Sequence, residues 1–203
     1  VLLMIKNIVF DLGNVLLDFE PDSYLEKLGY KGEIKAELME NIFGSDEWLM
    51  LDRGTISQPE AVEKWQQRNP ELKEEIAEVM AGWEKILTLK NDSLEILKSL
   101  AEKNYNLYIL SNFHKKAFKY VNQKYDFFKY FDDRVISAEV QMVKPEAQIY
   151  DYLLNEFDLN PEETLFIDDS KENIKAALEK KIRVIHFKDA ESLSEELNLY
   201  LRE

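Results

Sequence analysis

Four short apolar runs constrain the fold of this chain more than any other feature. They are Ile5–Phe10, Leu107–Ser111, Thr164–Asp168 and Arg183–Phe187. Short runs rich in branched and aromatic residues are typical of strands that are buried on both faces, as in a parallel sheet. The run Val135–Ser137 predicts a fifth, shorter strand.

The stretches between the later strands have helical patterns. We predict helices at Asn91–Lys103, Lys115–Tyr125, Pro145–Phe157, Ser170–Lys180 and Ala190–Leu201. Asp92 and Ser93 are cap candidates for the first of these, and a proline suits the first turn of the third. The alternation of strands and helices predicts a doubly wound, Rossmann-like α/β core around a parallel sheet.

The region between the first two strands does not follow this alternation. It has helical patterns at Asp22–Leu28, Glu33–Phe43, Pro59–Arg68 and Glu71–Ile86, with no convincing strand. Glycines and a proline separate these patterns. We therefore predict a helical cap at residues 19–88, inserted into an α/β core formed by residues 1–18 and 89–203.

The composition narrows the possible partners. The 203 residues carry a formal net charge of -14, which disfavours nucleic acid and anionic membrane surfaces. Absence of cysteine excludes thiolate metal sites, and two histidines argue against a histidine-rich zinc site. The apolar N-terminal stretch is too short to span a bilayer. We expect a cytoplasmic protein that binds no nucleic acid and no membrane; the sequence leaves monomer and dimer open.

Polar residues stand at the ends of three predicted strands. Asp11 follows the first strand, Ser111 and Asn112 end the second, and Asp168 and Asp169 end the fourth. One carboxylate at a strand end is commonly an ordinary cap or turn residue. Three polar sites on the carboxyl edge of one parallel sheet favour a shared active site, because ligands bind at that edge.

Four motifs, in a fixed order, resemble those of a known superfamily. They are Val9–Val15 (VFDLGNV), Leu110–Asn112 (LSN), Met142–Glu146 (MVKPE) and Phe166–Ile174 (FIDDSKENI). With them the chain resembles the haloacid-dehalogenase-like hydrolases, and its first motif is similar to the branch of sugar-phosphate phosphatases and epoxide-hydrolase N-terminal phosphatase domains. The resemblance implies a Mg²⁺-dependent phosphatase that acts on a small phosphorylated metabolite through an aspartyl-phosphate intermediate.

The resemblance also implies a metal site. Asp11 would be the covalent nucleophile, since a carboxylate can split phosphoryl transfer into two steps. The ligands of Mg²⁺ would be the Asp11 side chain, the Gly13 carbonyl and the pair Asp168 and Asp169. Oxygen ligands of this kind are those that Mg²⁺ prefers. Which member of the aspartate pair binds directly stays open at this point.

The remaining implied roles concern the phosphoryl group. Ser111, Asn112 and Lys144 would donate to its oxygens, where positioned donors stabilise the transition state. Ser111 and Lys144 therefore join Asp11 as catalytic residues. Arg53 lies in the stretch Asp52–Ser57, which has turn residues and one cation. This stretch is either a loop that reaches the site, in which case Arg53 contacts the substrate, or a solvated connection between helices.

Gly13 departs from the pattern of the phosphatases in this superfamily. Most of them carry an aspartate at this position, which protonates the leaving group and activates the water. General acid–base catalysis contributes about 10²–10⁴-fold, so another group would have to supply it. His114, or one of the cap residues Glu47, Asp52 and Arg53, could do so.

Two other functions stay open at this stage. One is a 2-haloacid dehalogenase, because such relatives also lack the second aspartate and carry a motif like Ser111-Asn112. Two uncompensated carboxylates at Asp168 and Asp169 would repel a haloacid, which favours the phosphatase. The other is a non-catalytic phosphometabolite-binding protein, supported mainly by Gly13. We expect the cap tryptophans, Trp48, Trp65 and Trp83, to pack the cap rather than bind a ligand.

Overall fold

A computed structural model describes residues 4–201 and contains one five-stranded parallel sheet. The strands are β1 (Asn7–Phe10), β2 (Asn106–Ser111), β3 (Asp133–Ile136), β4 (Thr164–Asp168) and β5 (Arg183–His186). Their order across the sheet is β3-β2-β1-β4-β5, with β1 at the centre. All five predicted strands are present, and the α/β doubly wound class is confirmed.

The central strands are apolar throughout because both faces of the sheet are covered. Every residue of β1 and β4 is buried. Side chains alternate between the faces of a strand, so Ile8 and Phe10 join one apolar cluster and Val9 joins the other. The first cluster also contains residues of the region between β1 and β2, such as Leu38 and Trp65.

That region, residues 19–88, forms no strand of the sheet and is called here the helical insertion. Its helices are α1 (Pro21–Lys27), α2 (Gly32–Leu38), α3 (Asp46–Arg53), α4 (Gln58–Arg68) and α5 (Lys73–Met80). A π-helical turn at Met39–Phe43 extends α2, and short 3₁₀ turns flank α5. The prediction of a single helix over 71–86 is wrong, and α3 falls partly where we predicted a loop.

The insertion leaves and rejoins the sheet at neighbouring points. Asp18 N donates to Thr88 O at 2.7 Å, and Lys90 N donates to Leu16 O at 2.9 Å. Leu17 and Leu89 form an antiparallel bridge between these bonds. The two chain segments that enter and leave the insertion therefore run side by side, next to the loop that follows β1.

The remaining helices cover the sheet. They are α6 (Asn91–Ala101), α7 (Lys115–Lys124), α8 (Ser137–Val140), α9 (Ala147–Glu156), α10 (Lys171–Glu179) and α11 (Ala190–Tyr200). Two local predictions are wrong: no side chain caps α6, where Ser93 is buried instead, and α9 begins after Pro145, which lies in a preceding turn. Within residues 4–201, none of these helices combines the length and apolar character needed to cross a membrane.

Candidate active site

The polar strand ends meet at the carboxyl edge of the sheet. Phe10, the last residue of β1, pairs with Ile109 of β2 and Ile167 of β4. Asp11 continues this register, since its N–H donates to Ile167 O at 2.9 Å. Parallel pairing therefore brings Asp11 beside the ends of β2 and β4, as the sequence predicts for Ser111 and Asp168.

Lys144 is the cation of this edge. Its Nζ lies 2.9 Å from Asp11 Oδ1 and 2.6 Å from Asp168 Oδ2, and the residue is 3% exposed. Asn112 fixes the backbone beneath it: Asn112 Nδ2 donates to Lys144 O at 2.9 Å, and Lys144 N donates to Asn112 Oδ1 at 2.8 Å. The two bonds from the Asn112 side chain thus fix the Lys144 backbone, and the ammonium lies between two carboxylates.

Burial and charge act against each other on Asp11. Burial raises the pKa of its carboxyl to about 7, Lys144 lowers that pKa, and Asp168 raises it. Burial would lower the pKa of Lys144, yet Asp11 and Asp168 outweigh it and the pKa is raised. The Ser111 hydroxyl is close enough to lower the pKa of Asp11, but makes no hydrogen bond of normal geometry within residues 4–201. Lys144 therefore favours the ionised form of Asp11 against the effect of burial.

Asp168 and Asp169 differ in how many donors they already accept. Asp168 Oδ1 accepts from Ser170 N at 2.8 Å and from Asn173 Nδ2 at 3.0 Å, while its Oδ2 accepts from Lys144. Within residues 4–201 the Asp169 carboxylate accepts one bond, from Asn14 Nδ2 at 3.0 Å. One carboxylate is saturated by the protein, and the other keeps acceptor capacity.

A metal site is compatible with these carboxylates. Oxygen atoms of Asp11, Asp168 and Asp169 lie within 4.8 Å of one another. Such a donor set, made only of carboxylate oxygens, suits a hard divalent cation. Asp168 already accepts from Lys144, from the Ser170 backbone and from the Asn173 side chain, so the Asp169 carboxylate has more acceptor capacity left for a cation.

Two asparagines within the motifs hold the loops at this edge of the sheet. Asn14, in the left-handed region at φ 56°, bonds Asp169 and also accepts from Phe19 N at 3.2 Å. It therefore ties the loop after β1 to the loop after β4. Asn173 donates to both oxygens of Asp168. Their positions within the motifs were the available signal, but their partners depend on loop geometry.

A small cavity opens beside this edge, under the helical insertion. Its volume is about 80 Å³. It is lined by Gly13, Phe19, Trp48, Asp52, Trp83, Leu87, Asn112, Phe113 and His114. Trp65, by contrast, is fully buried within the insertion. Two of the three tryptophans therefore face the cavity, where our expectation was packing alone.

Asp52 and His114 are the ionisable pair of the cavity. His114 Nε2 lies 3.3 Å from Asp52 Oδ1, and the imidazole packs 4.3 Å from Trp48 and 4.9 Å from Trp83, centroid to centroid. Burial lowers the pKa of His114 to about 3. Burial, together with the negative charge of Asp11, raises the pKa of Asp52 to about 8, and Lys144 opposes this rise. At neutral pH the imidazole is neutral and the carboxyl keeps its proton.

The end of α3 is fixed to the core by close contacts. The Ser137 hydroxyl donates to Asp52 O and accepts from Phe113 N at 2.9 Å. Gly54 ends the helix at φ 74°, and a Cβ there would lie 2.4 Å from Ala138 O. Only glycine fits this approach, because it combines a left-handed conformation with no side chain.

Two cap residues named from the sequence have partners outside the cavity. Arg53 donates to Glu146 through both terminal nitrogens, at 2.9 and 2.5 Å. Glu47 is bonded to Arg68. Neither residue lines the cavity. A substrate contact by Arg53 would require it to leave Glu146.

The sequence pattern of one family, described as haloacid dehalogenase-like hydrolase, matches residues 8–187. The structure of the HAD family enzyme bt-2542 of Bacteroides thetaiotaomicron, in complex with magnesium and inorganic phosphate, is similar to this chain at 28% identity. Its TM-score is 0.72, over 91% of this chain and 94% of that one. The fold and the family agree.

Curated relatives are similar along most of the chain. The D-ribitol-5-phosphate phosphatase of Bacteroides thetaiotaomicron is 25% identical over 84% of this chain and 86% of its own length. The sesquiterpene phosphatase astK of Aspergillus oryzae is 23% identical over 91% of each. The drimenol cyclase drtB of Aspergillus calidoustus is 23% identical over 96% of this chain, which spans 36% of that protein.

Proposed function

Because the chain belongs to the haloacid dehalogenase-like hydrolase family, we propose that it is a phosphatase of small phosphorylated metabolites. Two relatives that match nearly their whole length are a sugar-alcohol phosphate phosphatase and a sesquiterpene phosphatase. The single observation that carries the proposal is the buried ammonium of Lys144 between Asp11 and Asp168. It sets the Asp11 carboxyl beside a buried positive charge, which favours the ionised form that a nucleophile needs.

Asp11 acts as the nucleophile. Its carboxylate attacks phosphorus, the bond to the leaving-group oxygen breaks, and an aspartyl phosphate remains. Water then attacks phosphorus and releases Asp11 and inorganic phosphate. In this proposal Lys144, the Ser111 hydroxyl and Asn112 donate to the phosphoryl oxygens. The Ser111 hydroxyl supports this role because it makes no hydrogen bond of normal geometry within residues 4–201.

Asp11, the Gly13 carbonyl and Asp169 hold a Mg²⁺ ion in this proposal, with Asp168 behind them. The ion supplies positive charge that lets an anionic substrate approach a carboxylate nucleophile. Asp169 has the free acceptor capacity for this role, whereas Asp168 is engaged by Lys144 and Asn173. The assignment of direct and supporting carboxylate follows from that difference.

The helical insertion acts as the cap that selects the leaving group. In this division residues 1–18 and 89–203 form the catalytic core and residues 19–88 the cap. The cavity between them, about 80 Å³, is well below the roughly 300–1,000 Å³ of pockets for drug-sized ligands. With the cap in this position, the site therefore suits a leaving group of a few heavy atoms.

The test is phosphate release from a panel of sugar phosphates, polyol phosphates, nucleotides and an aryl phosphate, with and without Mg²⁺. Asp11→Asn should abolish turnover and the acid-stable phosphoryl adduct that mass spectrometry detects on the parent. The exposed Asp92→Asn is the matched control and should be fully active.

Three results would contradict the proposal. Turnover by Asp11→Asn would contradict the assignment of Asp11 as the nucleophile. Phosphate release at the full rate without a divalent cation would contradict the role of Mg²⁺. Halide release from a 2-haloacid, with no phosphatase activity, would instead favour a dehalogenase. Binding of a phosphate ester without turnover by the parent protein would favour a non-catalytic role.

A further inference from the structure

The proposed chemistry leaves one proton without a donor. When the bond between phosphorus and an alkyl oxygen breaks, the departing alkoxide needs a proton, and a positioned acid normally supplies it. Gly13 faces the cavity at the loop after β1 but has no side chain. Nothing lies within 4 Å of a Cβ built on it. The space beside the nucleophile is therefore open to a group from another element.

Most ionisable groups near this space are engaged elsewhere. Lys144 is held by two carboxylates, which raise its pKa and make it a poor acid. Arg53 is paired with Glu146, and Glu47 with Arg68. His114 is buried as a neutral imidazole, because burial lowers its pKa to about 3. An imidazole in that state has no acidic proton to give at neutral pH.

Asp52 is the carboxyl group that remains. It stands on the last turn of α3, and its side chain lines the same cavity as Gly13 and Asn112. Its backbone carbonyl is fixed to the core by Ser137. The Nε2 atom of His114 lies 3.3 Å from Asp52 Oδ1, and neither ring nitrogen makes a hydrogen bond of normal geometry within residues 4–201.

We propose that Asp52 is the acid–base residue of this enzyme, supplied by the cap across the gap at Gly13, and that His114 positions it. The inference rests on the proposed phosphatase function. In the first step the Asp52 carboxyl gives its proton to the leaving-group oxygen as Asp11 bonds to phosphorus. In the second step the Asp52 carboxylate takes a proton from water, whose oxygen bonds to phosphorus while the bond to Asp11 breaks.

The pH dependence follows from the groups that face Asp52. These are His114, which is neutral, Asp11, which raises its pKa, and Lys144, which lowers it; the Arg53–Glu146 pair stands beside them. With a pKa of about 8, Asp52 is protonated below that pH and loses its proton above it. Release of an alkyl leaving group should therefore slow as pH rises through about 8.

The experiment measures alcohol release in a single turnover of Asp52→Asn with two substrates, an alkyl phosphate and 4-nitrophenyl phosphate. The alkyl reaction should slow by about 10²–10⁴-fold, whereas the nitrophenyl reaction should slow by roughly tenfold or less, because that leaving group departs without a proton. With the alkyl substrate, the alkaline limb, which is the decrease in rate above about pH 8 that is expected for the parent, should be absent in Asp52→Asn. Asp46→Asn, an exposed aspartate of the same helix, is the control and should behave as the parent.

Two further variants test the geometry. Gly13→Asp, placed in the Asp52→Asn protein, should restore alkyl turnover, since the open space accepts a side chain there. His114→Phe should shift the alkaline limb and lower kcat for the alkyl substrate at unchanged KM, while the nitrophenyl reaction stays near the parent rate.

Equal losses with both substrates in Asp52→Asn, or a rise in KM alone, would overturn the acid–base role. Parent-like rates in Asp52→Asn would overturn it while leaving the phosphatase proposal standing. An unmoved alkaline limb in His114→Phe would overturn the positioning role. Absence of phosphatase activity in the parent would overturn both proposals together.

Discussion

The two walls of the cavity are built on different principles. On the core wall, charged and amide groups satisfy one another: Lys144 bonds Asp11 and Asp168, and Asn112 bonds the lysine backbone in both directions. On the insertion wall, Phe19, Trp48 and Trp83 contact one another through their rings. The ionisable group that the insertion adds to this wall is Asp52, which His114 of the core contacts.

This difference between the two walls suggests different tasks for them, one in the reaction and the other in the choice of substrate. Hydrogen-bonded charges have one good arrangement, so the core wall is preorganised for a single type of reacting group. Ring contacts are less directional, and the insertion wall can accept other shapes with a smaller loss. Under the proposed function, the core wall would bind the phosphoryl group in one fixed way, while the insertion wall would select the leaving group and tolerate changes in its shape.

The largest expected effect comes from breaking the core wall. Lys144→Met should lower the free energy of unfolding by about 3–5 kcal/mol, because it leaves two buried carboxylates without their cation. The control is Lys180→Met, which removes a partly exposed ion pair of the same 2.6 Å length as that between Lys144 and Asp168 and should lose at most about 1 kcal/mol. Urea unfolding measures both; equal losses would contradict the comparison.

A smaller difference between variant and control should come from separating the walls. Gly54→Ala introduces left-handed strain and a clash with Ala138. Gly32→Ala introduces the strain alone, at φ 59° with nothing within 4 Å of the added Cβ. The strain costs about 1–3 kcal/mol at either site, and the clash should add roughly 1–3 kcal/mol. Chemical denaturation measures the stability of both variants, and kcat/KM measures their activity. Activity should fall only in Gly54→Ala. Equal changes in both variants would mean that the contact with Ala138 does not position the insertion.

The smallest effect should come from the bridge between the walls. Arg53 and Glu146 are partly exposed, so their double-mutant cycle should give a coupling of about 1 kcal/mol or less that weakens with salt. The same variants test the prediction that Arg53 binds substrate. If Arg53 binds substrate, Arg53→Met should raise KM far more than Glu146→Gln does. Equal KM values would mean that Arg53 only links the insertion to Glu146 and does not bind substrate.

The core wall was within reach of sequence reasoning because a parallel sheet converts sequence motifs into positions. Each strand ends at the same edge, so Asp11, Ser111 and Asp168 had to meet there. Lys144 carries no such signal of its own, and the resemblance supplied its place. The roles of these residues remain predictions, whereas their proximity is a feature of the fold.

The insertion wall was harder to predict for a physical reason. Helix α3 was read as loop at Asp52, although Ser45 caps its start and Gly54 ends it, a signal that the sequence contained. The meeting of Asp52 with His114 could not be read in this way. It depends on how a helix is rotated about its axis and packed against a distant loop, which neither periodicity nor motif order specifies.

The paired backbone bonds at Leu16–Lys90 and Asp18–Thr88 have a consequence for how this molecule can change over time. The insertion begins and ends at neighbouring points, so it is a closed loop on the core. Only the two paired segments at residues 16–18 and 88–90 connect it to the sheet. Closure entropy grows slowly with length, by about 0.6 kcal/mol for each doubling. Helices of the insertion can therefore be exchanged or lengthened during evolution at little cost in stability. The carboxyl edge of the sheet would stay unchanged while the wall opposite it varies.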